Sequence, residues 1–447
     1  KGQNLGVPKG LYNHHNINYK NYTHLNYSFF GVAADGSLHS GDYRVAEKGP
    51  LLHPDPNSSH DQAFVIGASK KFWSWNDILS AQGYEKDGWQ GWTRVNADGS
   101  VDKGVWPLDV KVEKSMIDLA HENDVKVMAS IGGWSMCKHF PAVAADATKR
   151  QKFADYCVKL IDLGFDGIDI DWEFPGQAGL NFVGTPADYG NFTLLMQDIR
   201  DAIGPDKVLS AAFISSPSKL ADFEWDKLDS IMDFYNIMAY DMGGGWNNFA
   251  NHNAPLFKYG SEYSAPSISD TITYLKDAIG IDPEKINVGL AFYGRSVETA
   301  GTPFVKAPTL KKIKLFEVDG QVDTAGDLVN FPKLEGNPYY SHILKVIEGG
   351  EWTEEWDDVA KVPYLVHSTK NFFLSYDNEE SIEIKARHYA DENVGGVIVW
   401  QIFSDWELDI GAQTDVKGNG KYPVHEGIKT PLINRLNKVF NETAPKQ

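Results

Sequence analysis

Cysteine is almost missing from this chain, whose 447 residues include only Cys137 and Cys157. Two thiols cannot staple a protein of this length, so a disulfide scaffold is excluded, and whether the two pair or stay free is left open by the sequence. Long apolar runs are missing as well. Nothing approaches the roughly 20 residues that cross a bilayer, and no membrane partner is expected. Positive charge is scarce: 42 Lys and Arg face 61 Asp and Glu, a formal net charge of -19. Phosphate backbones need clustered cations, so no nucleic-acid partner is expected either, and an uncharged partner suits such a surface. His14, His15, His53 and His60 come nearest to a metal cluster, but their spacing matches no zinc pattern. Gly243-Gly244-Gly245 lacks the Lys-Ser or Lys-Thr of a phosphate loop. Neither stretch therefore offers a metal site or a site for a phosphate-bearing cofactor. There is no short-period repeat and no low-complexity tract.

The chain opens with Lys1-Gly2-Gln3, without Met or an apolar targeting stretch. It reads as a processed or trimmed form whose missing piece could have been a signal peptide, which makes a secreted, extracellular protein the expectation. Asn57-Ser-Ser, Asn191-Phe-Thr and Asn441-Glu-Thr match the glycosylation pattern, one that recurs by chance.

What the chain does have is a rhythm. Short β-branched or apolar runs predict eight strands, near Val7–Tyr12, Leu25–Phe30, Val125–Ile131, Gly167–Trp172, Val208–Phe213, Phe234–Ala239, Ile286–Phe292 and Gly396–Trp400. Amphipathic helices at Val110–Asn123 and Thr148–Leu163 precede the third and fourth. Strand–helix alternation signals a parallel sheet, and eight repeats suggest a closed barrel. The length permits it, since such a barrel takes roughly 250 residues before insertions. The fold class is thus α/β, a (β/α)8 TIM barrel. Two segments break the rhythm. Gly31–Pro107 is a long excursion rich in Gly, Asp and Trp. Arg295–Phe373, between the seventh and eighth strands, alternates strand-like pieces with a short helix at Asn337–Gly349 and reads as a small inserted α+β domain. The barrel is then 1–294 with 374–447, and the insertion is 295–373. Loops at the carboxyl ends of barrel strands build active sites, so long insertions there would form cleft walls.

The most informative stretch is Phe165-Asp166-Gly167-Ile168-Asp169-Ile170-Asp171-Trp172-Glu173-Phe174-Pro175. Strand side chains alternate, so Asp169, Asp171 and Glu173 share one face and Ile168, Ile170 and Trp172 the other. The apolar trio suits the helix layer, which sends three carboxyls into the lumen. Asp166 has the opposite parity and is not expected to touch substrate. Three carboxyls crowded into a low-dielectric interior cannot all ionise cheaply, so at least one stays protonated near neutral pH. A glycosidic oxygen requires such a group as its general acid. Against this stand a calcium site, which would want Gly and Asn or Asp in a turn, and a solvated edge strand, which would not carry such strong β-formers.

These residues resemble the family 18 glycoside hydrolases, whose fourth barrel strand carries Asp-x-x-Asp-x-Asp-x-Glu, here Asp166, Asp169, Asp171 and Glu173 without departure. Ser130-Ile131-Gly132-Gly133-Trp134 is similar to the family's Ser-x-Gly-Gly motif and Met238-Ala239-Tyr240-Asp241 to its Met-x-Tyr-Asp motif. Phe292-Tyr293-Gly294-Arg295 closes strand seven as in the family, Trp400 stands where a pocket-floor tryptophan is expected, and the insertion takes the place of the chitinase insertion domain. Each motif alone is weak; together, in order and on the right strands, they are specific. The resemblance implies a chitinase acting on chitin or chito-oligosaccharides by substrate-assisted retention, an exception to the usual two-carboxylate scheme. By that likeness Glu173 protonates the leaving oxygen and later serves as base for water. The sugar's N-acetyl carbonyl attacks the anomeric carbon, giving an oxazolinium ion. Asp171 holds the acetamido N–H, Asp169 shares a proton with Asp171 while held by Ser130, and Tyr240 orients the acetamido carbonyl. Trp134, Trp400, Met238, Asp241, Tyr293 and Arg295 would contact substrate, with Ser130 and Asp166 in support, and the protein is taken as a monomer.

Plainer readings compete for the helpers. Ser130 with Gly132 and Gly133 could simply turn a tight barrel corner; Tyr240 could be a satisfied core tyrosine; Met238 could be ordinary packing; Asp241 and Arg295 could form a local ion pair. Of the tryptophans in predicted loops, Trp73, Trp75, Trp89, Trp92, Trp106, Trp134 and Trp246, some would stack on sugar rings and others fill the core. Rival functions are an endo-N-acetylglucosaminidase acting on N-glycans, whose relatives are usually shorter and lack the insertion, and a chitin-binding lectin, a type that typically loses the Glu retained here as Glu173. A purely structural barrel would gain nothing from an acidic lumen.

Overall fold

The computed structural model describes residues 17–39, 84–86, 92–95, 101–105, 116–180, 182–260, 266–311, 313–315, 322–408 and 428–443. The strand predicted at Val7–Tyr12, the histidines 14, 15, 53 and 60, and Asn57 lie outside them. Seven parallel strands are described: β1 His24–Val32, β2 Lys126–Gly132, β3 Gly167–Asp171, β4 Val208–Ile214, β5 Phe234–Met238, β6 Ile286–Ala291 and β7 Gly396–Trp400. They correspond to the second through eighth predicted strands and follow one another in the sheet in chain order, with Leu38–His39 antiparallel on β1. Helices α1 Met116–His121, α2 Ala147–Asp162 and α3 Ala187–Ile203 fall between the early strands, giving the β/α repeat.

The chain divides into two compact units, Lys1–Asp169 with Gln197–Val208 and Leu408–Lys429, and Ile170–Met196 with Leu209–Glu407 and Thr430–Gln447. In the first, β1 and β2 pair in register from His24↔Lys126 to Ser28↔Ser130. Phe165 packs its buried ring at 6.3 Å from Tyr27 and 6.0 Å from Phe30. Gly167 begins β3 because nothing larger fits: a Cβ there would lie 2.2 Å from the Val208 carbonyl oxygen and 2.5 Å from Met128 Cε. Asp146 starts α2 by accepting the Thr148 and Lys149 N–H groups on its side chain, which satisfies donors that have no intrahelical partner. Cys137 and Cys157 are both buried, and no disulfide joins them.

In the second unit β4, β5, β6 and β7 pair in turn, and the last pairing runs from Asn287↔Gly396 to Ala291↔Trp400. Between β6 and β7 the chain makes a four-stranded antiparallel sheet, in the order Arg295–Glu298, Phe372–Ser375, Val362–His367, Trp352–Asp357. Helix α4, Tyr340–Glu348, occupies the place of the predicted short helix. Then come α5 Glu379–Asp391 and, near the end, α6 Pro431–Thr443. The core is aromatic, with Phe213 5.2 Å from Phe223 and Phe192 5.6 Å from Phe223, all buried.

One buried ion pair anchors α5. Lys385 Nζ donates to both Asp377 carboxylate oxygens, at 2.6 and 2.7 Å, with the side chains 0% and 1% exposed. Burial lowers the ammonium's pKa and the Asp377 charge works against that. Removing one partner of such a pair strands the other charge, at a cost of about 3–5 kcal/mol. Lys385→Met should therefore destabilise the protein by about that amount in urea unfolding. A loss below about 1 kcal/mol would show that the pair is dispensable.

Candidate active site

The acidic stretch behaves as its alternation demands. Ile168 and Ile170 are fully buried, and Trp172, 1% exposed, packs its ring 6.3 Å from Phe192 on α3. The apolar face therefore meets helix, and the opposite parity carries Asp169 and Asp171, both buried, at 2% and 6% exposure. Glu173 lies two residues beyond the end of β3 and is half-buried. The loop after it is held by buried Asp188, whose Oδ2 accepts the Thr185 N–H at 2.9 Å and the Gly176 N–H at 3.2 Å.

Asp169 receives a hydrogen bond from Ser130. The hydroxyl of Ser130 donates to Oδ2 at 2.7 Å, and both residues are buried. Ser130 is carried by the last turn-bound residues of β2, where Gly132 and Gly133 have φ of 116° and 77°. A Cβ on Gly133 would come within 2.7 Å of the Phe29 ring, so the glycines do turn a tight corner. Asp166 faces elsewhere. Its Oδ2 accepts the Val127 N–H at 2.7 Å and meets His121 Nε2 at 2.8 Å, at the starting end of β2 and β3. It clips strand to strand.

A second group gathers on the ends of β5 and β6. Asp241 takes Arg295 in a two-pronged contact, Nε to Oδ1 at 2.8 Å and Nη2 to Oδ2 at 2.6 Å. The Tyr293 hydroxyl donates to the same Asp241 Oδ1. Arg295 Nη1 donates to Asn337 Oδ1 at 2.7 Å, and its guanidinium lies 4.8 Å from the centre of the half-exposed Trp246 ring. Burial works to lower the Arg295 pKa, but the Asp241 charge prevails and raises it, while burial and Asp241 together push the Tyr293 hydroxyl well above its ordinary value. Tyr240 packs edge-on against Tyr293 with ring centres 6.1 Å apart. The structure thus brings Tyr240, Asp241, Tyr293 and Arg295 together. Met238 and Trp400 are half-buried at the ends of β5 and β7, and the Trp400 carbonyl accepts the Phe292 N–H at 2.9 Å. Trp134 is 45% exposed. Sequence reasoning missed Asn337, the buried Asn253 that holds the Asp241 backbone, and the residues linked to it in turn, buried Ser375 and His252 and the partly buried Asp357. Residues so far apart in the chain share no spacing that would link them. Among the described residues no cluster of His, Cys, Asp or Glu could hold a metal ion.

The repeat of parallel strands and helices defines the class by fold, a (β/α)8 TIM barrel. Within that class the chain belongs to the glycosyl hydrolases family 18, whose family model matches residues 7–405. It is 28% identical over 418 residues to Chitinase A1 of Niallia circulans, a match covering 88% of this chain and 54% of that protein. It is 30% identical over 328 residues to Chitotriosidase-1 of Mus musculus, covering 69% and 63%. The chain therefore spans little more than half the length of the bacterial relative. In fold it is similar to the Group IV chitinase of Ostrinia furnacalis solved with allosamidin, at a TM-score of 0.68 and 21% identity over 98% of this chain and 96% of that one.

The Ser130–Asp169 contact is open to a direct test. Ser130→Ala leaves a buried carboxylate short of a donor, which costs about 1–3 kcal/mol. Urea unfolding of the variant should show that loss, and an unchanged midpoint would mean that Asp169 does not depend on Ser130.

Proposed function

We propose that this chain is a chitinase that hydrolyses β-1,4 linkages between N-acetylglucosamine units, with Glu173 as its general acid and base. The observation that carries the proposal is the unbroken series Asp166, Asp169, Asp171, Glu173, running from just before β3 to just past its end, in a family 18 chain. The burial of Asp169 and of Asp171, and the half-burial of Glu173, support it. Chitinase names among the relatives support the substrate class.

In this reading Glu173 donates its proton to the glycosidic oxygen as the bond to the anomeric carbon breaks. The carbonyl oxygen of the substrate's own acetamido group attacks that carbon, so the intermediate is an oxazolinium ion and no enzyme nucleophile is needed. Asp171 accepts the acetamido N–H and stabilises the positive charge, and Asp169, held by Ser130, sets the protonation of Asp171. Tyr240 donates to the acetamido oxygen and aligns it. Glu173, now a carboxylate, takes a proton from the water that opens the ring, and the starting configuration is retained. Asp241 and Arg295, with Tyr293, Met238, Trp134 and Trp400, bind the sugar chain. Residues 295–373 are an inserted domain deepening the cleft, the rest is the catalytic barrel, and the protein acts outside the cell as a monomer.

Glu173→Gln keeps the shape and loses the proton. Turnover of chito-oligosaccharides should fall at least about 1,000-fold, in line with loss of a general acid, while binding to chitin persists. Residual activity near wild type would remove Glu173 from its role. Offered N-acetylglucosamine oligomers and a high-mannose glycopeptide side by side, the protein should cut the oligomers. Cleavage of the glycopeptide alone would replace the chitinase reading with an endo-N-acetylglucosaminidase.

A further inference from the structure

Asp241 does its work from an awkward place. It has a left-handed φ of 57° and a side chain 39% exposed, yet it holds Arg295 in a two-pronged contact and receives the Tyr293 hydroxyl. What fixes its backbone is Asn253, itself 1% exposed. Asn253 Oδ1 accepts the Asp241 N–H at 3.0 Å, its carbonyl accepts the Met242 N–H at 2.9 Å, and its Nδ2 donates to the Tyr293 carbonyl at 3.3 Å. One asparagine therefore grips both sides of the Asp241–Tyr293 contact.

Asn253 is held in turn by a chain of hydrogen bonds that ends on the partly buried Asp357. Its N–H donates to Ser375 Oγ at 3.0 Å; Ser375 Oγ lies 3.2 Å from His252 Nδ1; His252 Nε2 lies 3.0 Å from Asp357 Oδ2. His252 and Ser375 are 0% and 1% exposed. The hydrogens follow from chemistry. Burial works to raise the Asp357 pKa, but hydrogen bonds from His252 and from the Ala360 and Val359 N–H groups bring it down to about 2, so the group is a carboxylate that only accepts. Nε2 must then carry the imidazole hydrogen, Nδ1 accepts from the Ser375 hydroxyl, and Ser375 keeps its lone pairs for Asn253. The order Asp–His–Ser is that of a hydrolase triad. Here the serine is closed off from solvent and spent on a backbone amide, so it has no nucleophilic use. The backbone of His252 is pinned as well, by donation of its N–H to Tyr259 Oη at 2.9 Å.

We propose that Asp357, His252 and Ser375 form a positioning chain that fixes Asn253, and through it the Asp241–Arg295 pair, so that the pair grips the bound sugar chain. This rests on the reading of Asp241 and Arg295 as substrate-facing. The chain ties β-strand residues of the segment between β6 and β7, Asp357 and Ser375, to the loop that follows β5. It acts on affinity and leaves the chemical step at Glu173 alone.

The test is the KM-against-kcat split of the full chain on the N-acetylglucosamine hexamer. Ser375→Ala removes the central hydroxyl and should raise KM about tenfold with kcat within about twofold, the signature of lost uniform binding. Ser375→Cys, which restores a weak donor and acceptor, should fall between wild type and Ser375→Ala, and it carries the same comparison if the alanine variant does not fold. Asp241→Asn should raise KM by itself, and combined with Ser375→Ala the two effects should be less than additive. A Ser375→Ala protein of lower melting temperature but unchanged KM, alongside an Asp241→Asn protein of raised KM, overturns the positioning role and leaves the site reading intact. If Asp241→Asn also leaves KM unchanged, both fall.

Discussion

Buried carboxylates are the constraint on which this structure turns. Asp169 and Asp171 sit almost wholly out of water on one strand, where an ionised carboxyl is costly unless it is hydrogen-bonded or shares its proton. The surrounding chain is arranged around that cost. β2 delivers the Ser130 hydroxyl to Asp169, two left-handed glycines turn the chain directly after it, and Trp172 locks the opposite face of the strand against α3. A strand whose apolar parity is fixed by packing cannot slip its acids to the outside, because a one-residue shift would bury the acids against helix and send Ile168, Ile170 and Trp172 into the lumen.

The same economy governs the ends of β5 and β6. Arg295 is largely buried and would be unstable alone; Asp241 answers its charge, Asn337 takes a further N–H, and Trp246 covers the guanidinium face. A local ion pair and a sugar-binding surface were rival explanations for Asp241 and Arg295. The geometry shows the ion pair, and because Asp241 is 39% exposed it also leaves a carboxylate edge outward, so the ion pair does not compete with the proposed sugar contact.

Much of the fold was legible because its signals are local. The strand at Gly167–Asp171 follows from alternation, β5 and β7 from their β-branched or apolar runs, and α2 from apolar residues at helical spacing. Parity alone set Asp166 apart from the other acids, while its bonds to His121 and Val127 had no sequence signal. The pairing of Ser130 with Asp169 came from the family likeness and has a hydrogen bond to match. What stayed hidden is non-local. His252, Asp357 and Ser375 meet across more than 100 positions of chain, and neither periodicity nor a short motif can announce a contact that only tertiary folding creates. The pairing of the cysteines was equally unreadable, because two thiols without a spacing rule allow either answer; the fold buries both without joining them in a disulfide.

The most direct test of the central claim is a time course of N-acetylglucosamine hexamer hydrolysis with product anomers resolved before they mutarotate. If Glu173 acts as acid and base around a neighbouring acetamido group, the new reducing ends appear first as the β-anomer, the configuration of the bond that was cut. First appearance of the α-anomer would mean direct attack by water from the opposite face and would contradict the account.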